Sequence, residues 1–240
     1  RPNVVGHIKV AIGDVERAFA EADVVVEERL SYARVTSMPM EPRAICARFD
    51  PATGLLTVWA GHQMPYMLRD ALVSFLGLPA ENVRVICPDT GGGFGPKAAV
   101  YPEDLLVPVL AYRLGKPVKW AQTRAEFMLS SQHAREQLHD ARLAATRDGT
   151  ILGLDVRIVK DVGAYHAWAM IDPTNCVNHL PAHYRIPAIR AEGFAVVTNK
   201  VAASPYRGAG RPEAVFVIDR LLDVLARKLD MDPAKLRLKT

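Results

Sequence analysis

Apolar residues recur along the chain with two periods, 3.6 and 2, and the pattern switches between them often. Val15, Ala18, Phe19 and Ala22 share one helical face behind Asp14, which is placed to cap the helix. The β-branched run Val24-Val25-Val26 then starts a strand. Arg43 to Phe49 and Leu55 to Ala60 are apolar-rich runs joined by Asp50-Pro51-Ala52-Thr53-Gly54, whose Pro and Gly suit a turn, so a β-hairpin is expected. Met67, Leu68, Ala71, Leu72, Phe75 and Leu76 line one side of a helix closed by Gly77 and Pro79. Val83 to Ile86 is a short strand that runs into a cluster of glycines.

Beyond the glycines, Glu103 to Leu114 is helical in pattern and stops at Gly115, with Pro108 expected to kink the helix or to sit near its first turn. Val118 to Ala121 follows as a strand. Gln137 to Ala145 and Ile151 to Val159 both alternate, and Arg147-Asp148-Gly149-Thr150 between them makes the clearest hairpin in the chain. Residues 163 to 188 scatter Gly, Pro, Asn and His, which reads as a long irregular excursion. Ala191 to Thr198 returns to strand, and Pro212 and Glu213 open a helix whose buried side carries Val215, Ile218, Leu221, Leu222 and Leu225, ending near Leu229. Strands and helices mix without a regular βαβ beat, so the expected class is α+β, with mixed sheets and packed helices.

Composition narrows the function. Of 240 residues 50% are hydrophobic and 23% charged, ordinary for a folded globular chain. The formal charge of +4 is spread without a Lys/Arg block, so nucleic acid is not an expected partner. No apolar run approaches the roughly 20 residues of a membrane span, and no signal-peptide pattern opens the chain, so a soluble, cytoplasmic setting is expected. Cys46, Cys87 and Cys176 form no CxxC pair and read as buried small hydrophobes. His179 and His183 enclose Pro181, which spoils a helical ligand pair, so no protein-ligated metal is expected. The chain begins Arg1-Pro2-Asn3 without a methionine and ends on a helix just opened by Asp232-Pro233, which suggests a piece of a longer protein.

Three segments can carry chemistry. Asp89-Thr90-Gly91-Gly92-Gly93-Phe94-Gly95-Pro96-Lys97 bares backbone N–H groups beside a cation, which suits a phosphate or oxo group. It is not a Walker loop, and its GxGxxA match alone is weak. Pro205-Tyr206-Arg207-Gly208-Ala209-Gly210-Arg211-Pro212-Glu213 joins two glycines and two arginines to a helix N-terminus. Gly61-His62-Gln63-Met64-Pro65 places a carboxamide at a loop tip. Each segment taken alone also reads as an ordinary connector.

Their order and company resemble the molybdenum hydroxylases, the family of xanthine dehydrogenase, aldehyde oxidase and the carbon monoxide dehydrogenase large subunit. The resemblance spans nearly the whole chain. It rests on His7 to Leu30, Met40-Glu41-Pro42-Arg43, Gln63 in Gly-His-Gln, Leu76 to Val85, Gly91 to Lys97 and Tyr206 to Pro212. It implies that residues 1–240 are the first molybdopterin-binding domain of a large catalytic subunit, with the small N-terminal domain and the second cofactor-binding domain absent. On that resemblance Gln63 is the glutamine whose amide bonds an oxo ligand of molybdenum. Gly92, Gly93, Phe94 and Gly95 form the loop around the metal and pterin, while Arg207, near an oxo ligand, and Gly208 belong to the substrate-side loop and count with Gln63 and the glycine loop as cofactor-binding residues. Gln63 and Arg207 are the catalytic candidates.

The implied cofactor is molybdenum with molybdopterin in its cytosine dinucleotide form, held by the pterin and not by a side chain. The implied partners are a second molybdopterin-binding domain or chain, an iron–sulfur (2Fe-2S) subunit and an FAD subunit, acting on a small-molecule substrate. The family's general base is a glutamate outside this chain, so the isolated chain is expected to be inactive. Glu41, Glu103 and Glu213 read as surface or capping carboxylates. Where carbon monoxide dehydrogenase carries a copper-binding cysteine, this chain has Gly208. Where xanthine dehydrogenases carry a glutamate and a phenylalanine, it has Ala98 and Ala209. Hydroxylation of an aldehyde or an aromatic N-heterocycle, with oxygen from water, is the expected reaction. A non-catalytic nucleotide- or cofactor-binding module, or a structural fragment docking onto the rest of a large subunit, are the alternatives.

Overall fold

The computed structural model describes residues 2–165 and 168–240. They divide into two compact units, one made of residues 2–35 with 133–240 and the other of residues 36–132.

The larger unit is built on a five-stranded mixed sheet. β1 (Val4–Ile12), β2 (Val24–Val35), β7 (Ala134–Ala145), β8 (Ile151–Gly163) and β9 (Ala188–Val197) lie in the order β1-β9-β8-β7-β2. Only the β8–β9 pair is parallel. One sheet face brings Leu30, Leu143, Leu154, Val156 and Ile158 against α6 (Arg211–Lys228), whose Val217, Ile218, Leu221, Leu222 and Leu225 are fully buried at helical spacing. Each such side chain stabilises the fold by about 1.5–3 kcal/mol relative to exposure. α1 (Val15–Ala20) is capped by the Asp14 carboxylate, which accepts from Arg17 N–H. α7 (Pro233–Lys239) is capped in the same way by Asp232.

The smaller unit carries a four-stranded sheet in the order β5-β4-β3-β6, made of β3 (Ala44–Asp50), β4 (Leu55–Ala60), β5 (Val83–Ile86) and β6 (Val118–Ala121). β4 and β5 run parallel because α2 (Pro65–Leu76) crosses between them, burying Leu68 and Leu72 on the sheet and ending in left-handed Gly77. α3 (Pro102–Leu114) adds Val107 and Ala111 to the same core. α4 (Arg124–Ser130) completes the unit behind a capping box between Thr123 and Glu126.

The expected α+β class holds, with several local corrections. Val215, read on the buried side of α6, is 43% exposed. Of the three cysteines read as buried only Cys176 is, Cys46 and Cys87 being half-buried. The excursion over 163–188 contains a helix, α5 (Ile171–His179), because Pro173 falls in its first turn, where a missing N–H costs no hydrogen bond. Residues 166 and 167 of that excursion lie outside the described residues. Pro108 is the seventh residue of α3, past its first turn and buried. β1 and α4 are further elements, beyond those that the sequence reading placed.

Candidate functional site

The glycine cluster leaves β5 and meets a short 3-10 turn, Pro96–Ala98. Lys97, the cation read beside the bare amides, is turned away from solvent, with its side chain fully buried and its Nζ donating to Glu41 Oε2 at 2.8 Å. The same carboxylate oxygen accepts from Gly91 N–H at 3.0 Å, and Glu41 N–H donates to the Gly91 carbonyl at 3.0 Å. Burial pushes the Glu41 carboxyl up, but the Lys97 ammonium and the Gly91 N–H outweigh it and hold the group below its ordinary range. Glu41 and Lys97 therefore fasten the loop by a charge-assisted contact 56 residues apart in sequence.

Arg43 supports the exit of the same loop. Its guanidinium is buried, stacks 3.6 Å from the Tyr101 ring centroid and donates to Glu103 at 3.1 Å. Tyr101 in turn donates its hydroxyl to the Pro96 carbonyl at 3.0 Å. The Met40-Glu41-Pro42-Arg43 segment thus acts as a brace for the glycine loop, with Glu41 paired to Lys97 and Glu103 to Arg43.

Gln63 is placed by two contacts to backbone of the glycine loop and by the anchored ring of its neighbour His62. Its N–H donates to the Lys97 carbonyl at 2.9 Å. The neighbouring His62 ring is buried, with Nδ1 accepting from Met64 N–H at 3.0 Å and Nε2 3.2 Å from the Ala99 carbonyl. That pair of contacts requires the neutral Nε2–H tautomer, and burial lowers the pKa of the ring. Gly95 N–H donates to Gln63 Oε1 at 2.8 Å. Only the oxygen of a carboxamide can accept from an N–H, so this bond fixes which way the amide points and leaves Nε2 as an exposed donor.

Nε2 of Gln63 and the N–H groups of Gly93 and Phe94 have no partner among the described residues. The approach of Gln63 to the loop needs a glycine at 93. A Cβ there would meet Gln63 Oε1 at 2.5 Å and Cδ at 2.7 Å. Phe94 holds a left-handed backbone, φ 58°, and is 39% exposed beside these donors. The structure therefore brings Gln63, Gly92, Gly93, Phe94 and Gly95 together in the smaller unit as a donor-lined surface. The sequence reading of one continuous nest of bare amides is narrowed, because the Gly91, Gly92 and Gly95 amides are already bonded, to Glu41, to the Thr90 carbonyl and to Gln63.

Arg207 and Gly208 stand in the larger unit, on the loop that enters α6, and both are exposed. Here a carboxylate departs from expectation: Glu213, read as a surface or capping acid, has no exposed surface and pairs with Arg135 Nη1 at 2.9 Å. Burial raises its pKa, and Arg135 opposes that rise. A second buried pair, Lys160 with Asp172 at 3.1 Å, adjoins it through Lys160 Nζ, which donates to the Arg135 carbonyl. Sequence reasoning missed Arg135, Lys160 and Asp172 because each reads as a surface charge until the sheet and α5 enclose it.

Comparison with known proteins identifies the family of the chain. A molybdopterin cofactor-binding domain model matches residues 1–240. The carbon monoxide dehydrogenase large chain of Hydrogenophaga pseudoflava is 40% identical over 230 residues, covering 93% of this chain and 28% of that protein. The nicotine 6-hydroxylase large subunit of Paenarthrobacter nicotinovorans is 36% identical over 249 residues, covering 99% of this chain and 30% of that protein. The crystal structure of quinoline 2-oxidoreductase from Pseudomonas putida 86 superposes with a TM-score of 0.93 at 35% identity, over 98% of this chain and 30% of that one. The chain thus spans under a third of the length of these relatives.

Proposed function

The chain belongs to the molybdopterin cofactor-binding domain family, and on that premise we propose that it forms one wall of the molybdenum cofactor site in the large subunit of a molybdenum hydroxylase. In this reading residues 1–240 are the first of two cofactor-binding domains. The orientation of the Gln63 carboxamide carries the proposal. Gly95 N–H takes its oxygen, so Nε2 is presented as a donor next to the unused amides of Gly93 and Phe94. Donors without acceptors suit the anionic oxygens of an oxo-metal centre and its pterin. Among the described residues no group of three His, Cys, Asp or Glu is placed to hold a metal, and a metal held by its own organic ligand needs none.

Gln63 would donate from Nε2 to an oxygen of the cofactor, and the Gly92–Gly95 backbone would line its pterin side. Arg207 would bring an exposed guanidinium to the substrate side, with Gly208 leaving room for close approach. When bound, the cofactor supplies the two-electron oxidation of a substrate carbon. An aldehyde or aromatic N-heterocycle fits this chain better than carbon monoxide, because Gly208 offers no thiol in that loop. The general base would come from the polypeptide beyond this domain. An iron–sulfur cluster needs grouped cysteines, which the free and separate Cys46, Cys87 and Cys176 do not offer, so in this reading it would sit on a partner subunit, and the flavin on another. A cytosine dinucleotide form of the pterin and a cytoplasmic setting complete the reading. No described helix is long and apolar enough to cross a membrane.

The test is Gln63→Glu in the enzyme assembled with its remaining large-subunit polypeptide. A carboxylate still accepts from Gly95 N–H, so the loop is kept, but it has no donor to give. Molybdenum content or turnover reduced at least tenfold, with unchanged thermal stability, is the expected result. Full molybdenum content with wild-type turnover would remove the assigned role of Gln63.

A further inference from the structure

The loop that carries Arg207 is held by its carbonyls. Arg207 O accepts from Arg135 Nη2 at 2.9 Å, and Ala209 O accepts from Asn175 Nδ2 at 2.9 Å. Gly208 O accepts from Arg211 N–H at 3.2 Å, and Ala209 N–H closes a turn onto Tyr206 O at 2.7 Å. In a planar trans peptide the C=O and the following N–H point in opposite directions. Holding the Arg207 carbonyl against the buried Arg135 therefore turns Gly208 N–H away from it. That N–H and the one of Gly210 have no partner among the described residues.

Arg135 is itself over-determined. It is 6% exposed and holds a left-handed backbone, φ 65°, followed by Glu136 at φ 49°. Two successive non-glycine residues in that region are uncommon and persist only where their surroundings enforce them. Lys160 Nζ grips the Arg135 carbonyl, Glu213 takes one guanidinium nitrogen at 2.9 Å, and the guanidinium lies 4.7 Å from the Tyr206 ring centroid. Glu136 is fixed from its other side by Arg34 and Lys200. The fork geometry of arginine reaches Glu213 in α6 and the Arg207 carbonyl at once. We propose that Arg135 is a positioning residue, whose guanidinium sets the direction of the Arg207–Gly208 peptide and so the presentation of Arg207 and Gly208 to an anionic oxygen on the substrate side. This rests on the reading of Arg207 as a site residue.

The experiment is amide hydrogen exchange across residues 205–211 in the full chain, together with molybdenum content of the assembled enzyme. The variants are Arg135→Lys, Arg135→Gln, and Arg135→Gln combined with Glu213→Gln, which avoids stranding a buried carboxylate if the single change fails to fold. In the double variant, exchange of the Ala209 and Arg211 amides should accelerate about tenfold or more, the factor that loss of one charge-assisted hydrogen bond allows. β8 should keep its wild-type protection. Arg135→Lys should restore part of the loop's protection, and molybdenum content should follow the loop and not the core. Unchanged exchange at 205–211, or acceleration shared equally by β8, would overturn the proposal. Exchange decides the positioning claim with or without metal, so wild-type enzyme lacking molybdenum would count against the cofactor reading alone.

Discussion

Gly93→Ala separates what the glycine loop does for folding from what it does for the site. The new methyl would sit 2.5 Å from Gln63 Oε1 and 2.7 Å from its Cδ, so the Gln63 side chain must swing away. Gln63 is exposed and its side chain is flexible, so it can move, but doing so breaks the Gly95 N–H bond of 2.8 Å. Loss of one such bond costs about 0.5–1.5 kcal/mol net. Removing a glycine from the unfolded chain returns about 0.4–1 kcal/mol, and φ at position 93 lies outside the left-handed range that would forbid alanine. The two nearly cancel, leaving a net change within about 1 kcal/mol, or about 2–4 °C in Tm for a chain of this size. Thermal unfolding by circular dichroism should therefore show little change, while molybdenum retained by the assembled enzyme falls at least severalfold. A Tm loss above about 8 °C would show that the loop is a folding element first. Unaltered stability with unaltered molybdenum would show that the Gln63–Gly95 contact does not shape the site.

Other outcomes follow from the buried charges. Glu41→Ala strands the Lys97 ammonium and should cost about 1.5–3 kcal/mol in urea unfolding, whereas Lys97→Met with Glu41→Gln should cost clearly less; equal losses would refute the clamp. His139 is fully buried with no hydrogen-bond partner among the described residues, and burial lowers its pKa from 6.5 to about 4. As pH falls below 6.5 the unfolded chain binds a proton there first, so stability is present above pH 6.5 and drains between about 6.5 and 4, by at most about 3 kcal/mol. His62 is shifted the same way. His139→Leu should flatten that slope in a pH series of denaturant midpoints, and an unchanged slope would show that other groups set it. Arg207→Lys keeps the charge but not the planar fork, and should lower turnover of the assembled enzyme with molybdenum content retained.

Much of the fold was legible where one residue decides a local geometry. Asp14 at a helix start, Gly77 and Gly115 at helix ends and Asp148-Gly149 in a hairpin each act within a few residues, and the structure has them in those roles. The capping box of Thr123 and Glu126 was equally local, as was the alternation through Ile8, Lys9 and Val10, and both were overlooked. α5 hid for a physical reason, since Asp, Pro, Thr and Asn carry little helical preference and its stability comes from Cys176 and Val177 packing into the core. At the candidate site the glycines and Gln63 declared themselves by type. The Glu41–Lys97 clamp and the Arg135, Glu213, Lys160 and Asp172 cluster did not, because a charge looks solvated in sequence until residues far along the chain close over it.

Elemental mass spectrometry on this chain, purified alone and after co-expression with the polypeptide that completes its large subunit, tests the account most directly. Near-stoichiometric molybdenum in the co-expressed protein, and little in the chain alone, is the expected result. Absence of molybdenum from both, with a nucleotide bound to the chain instead, would contradict it.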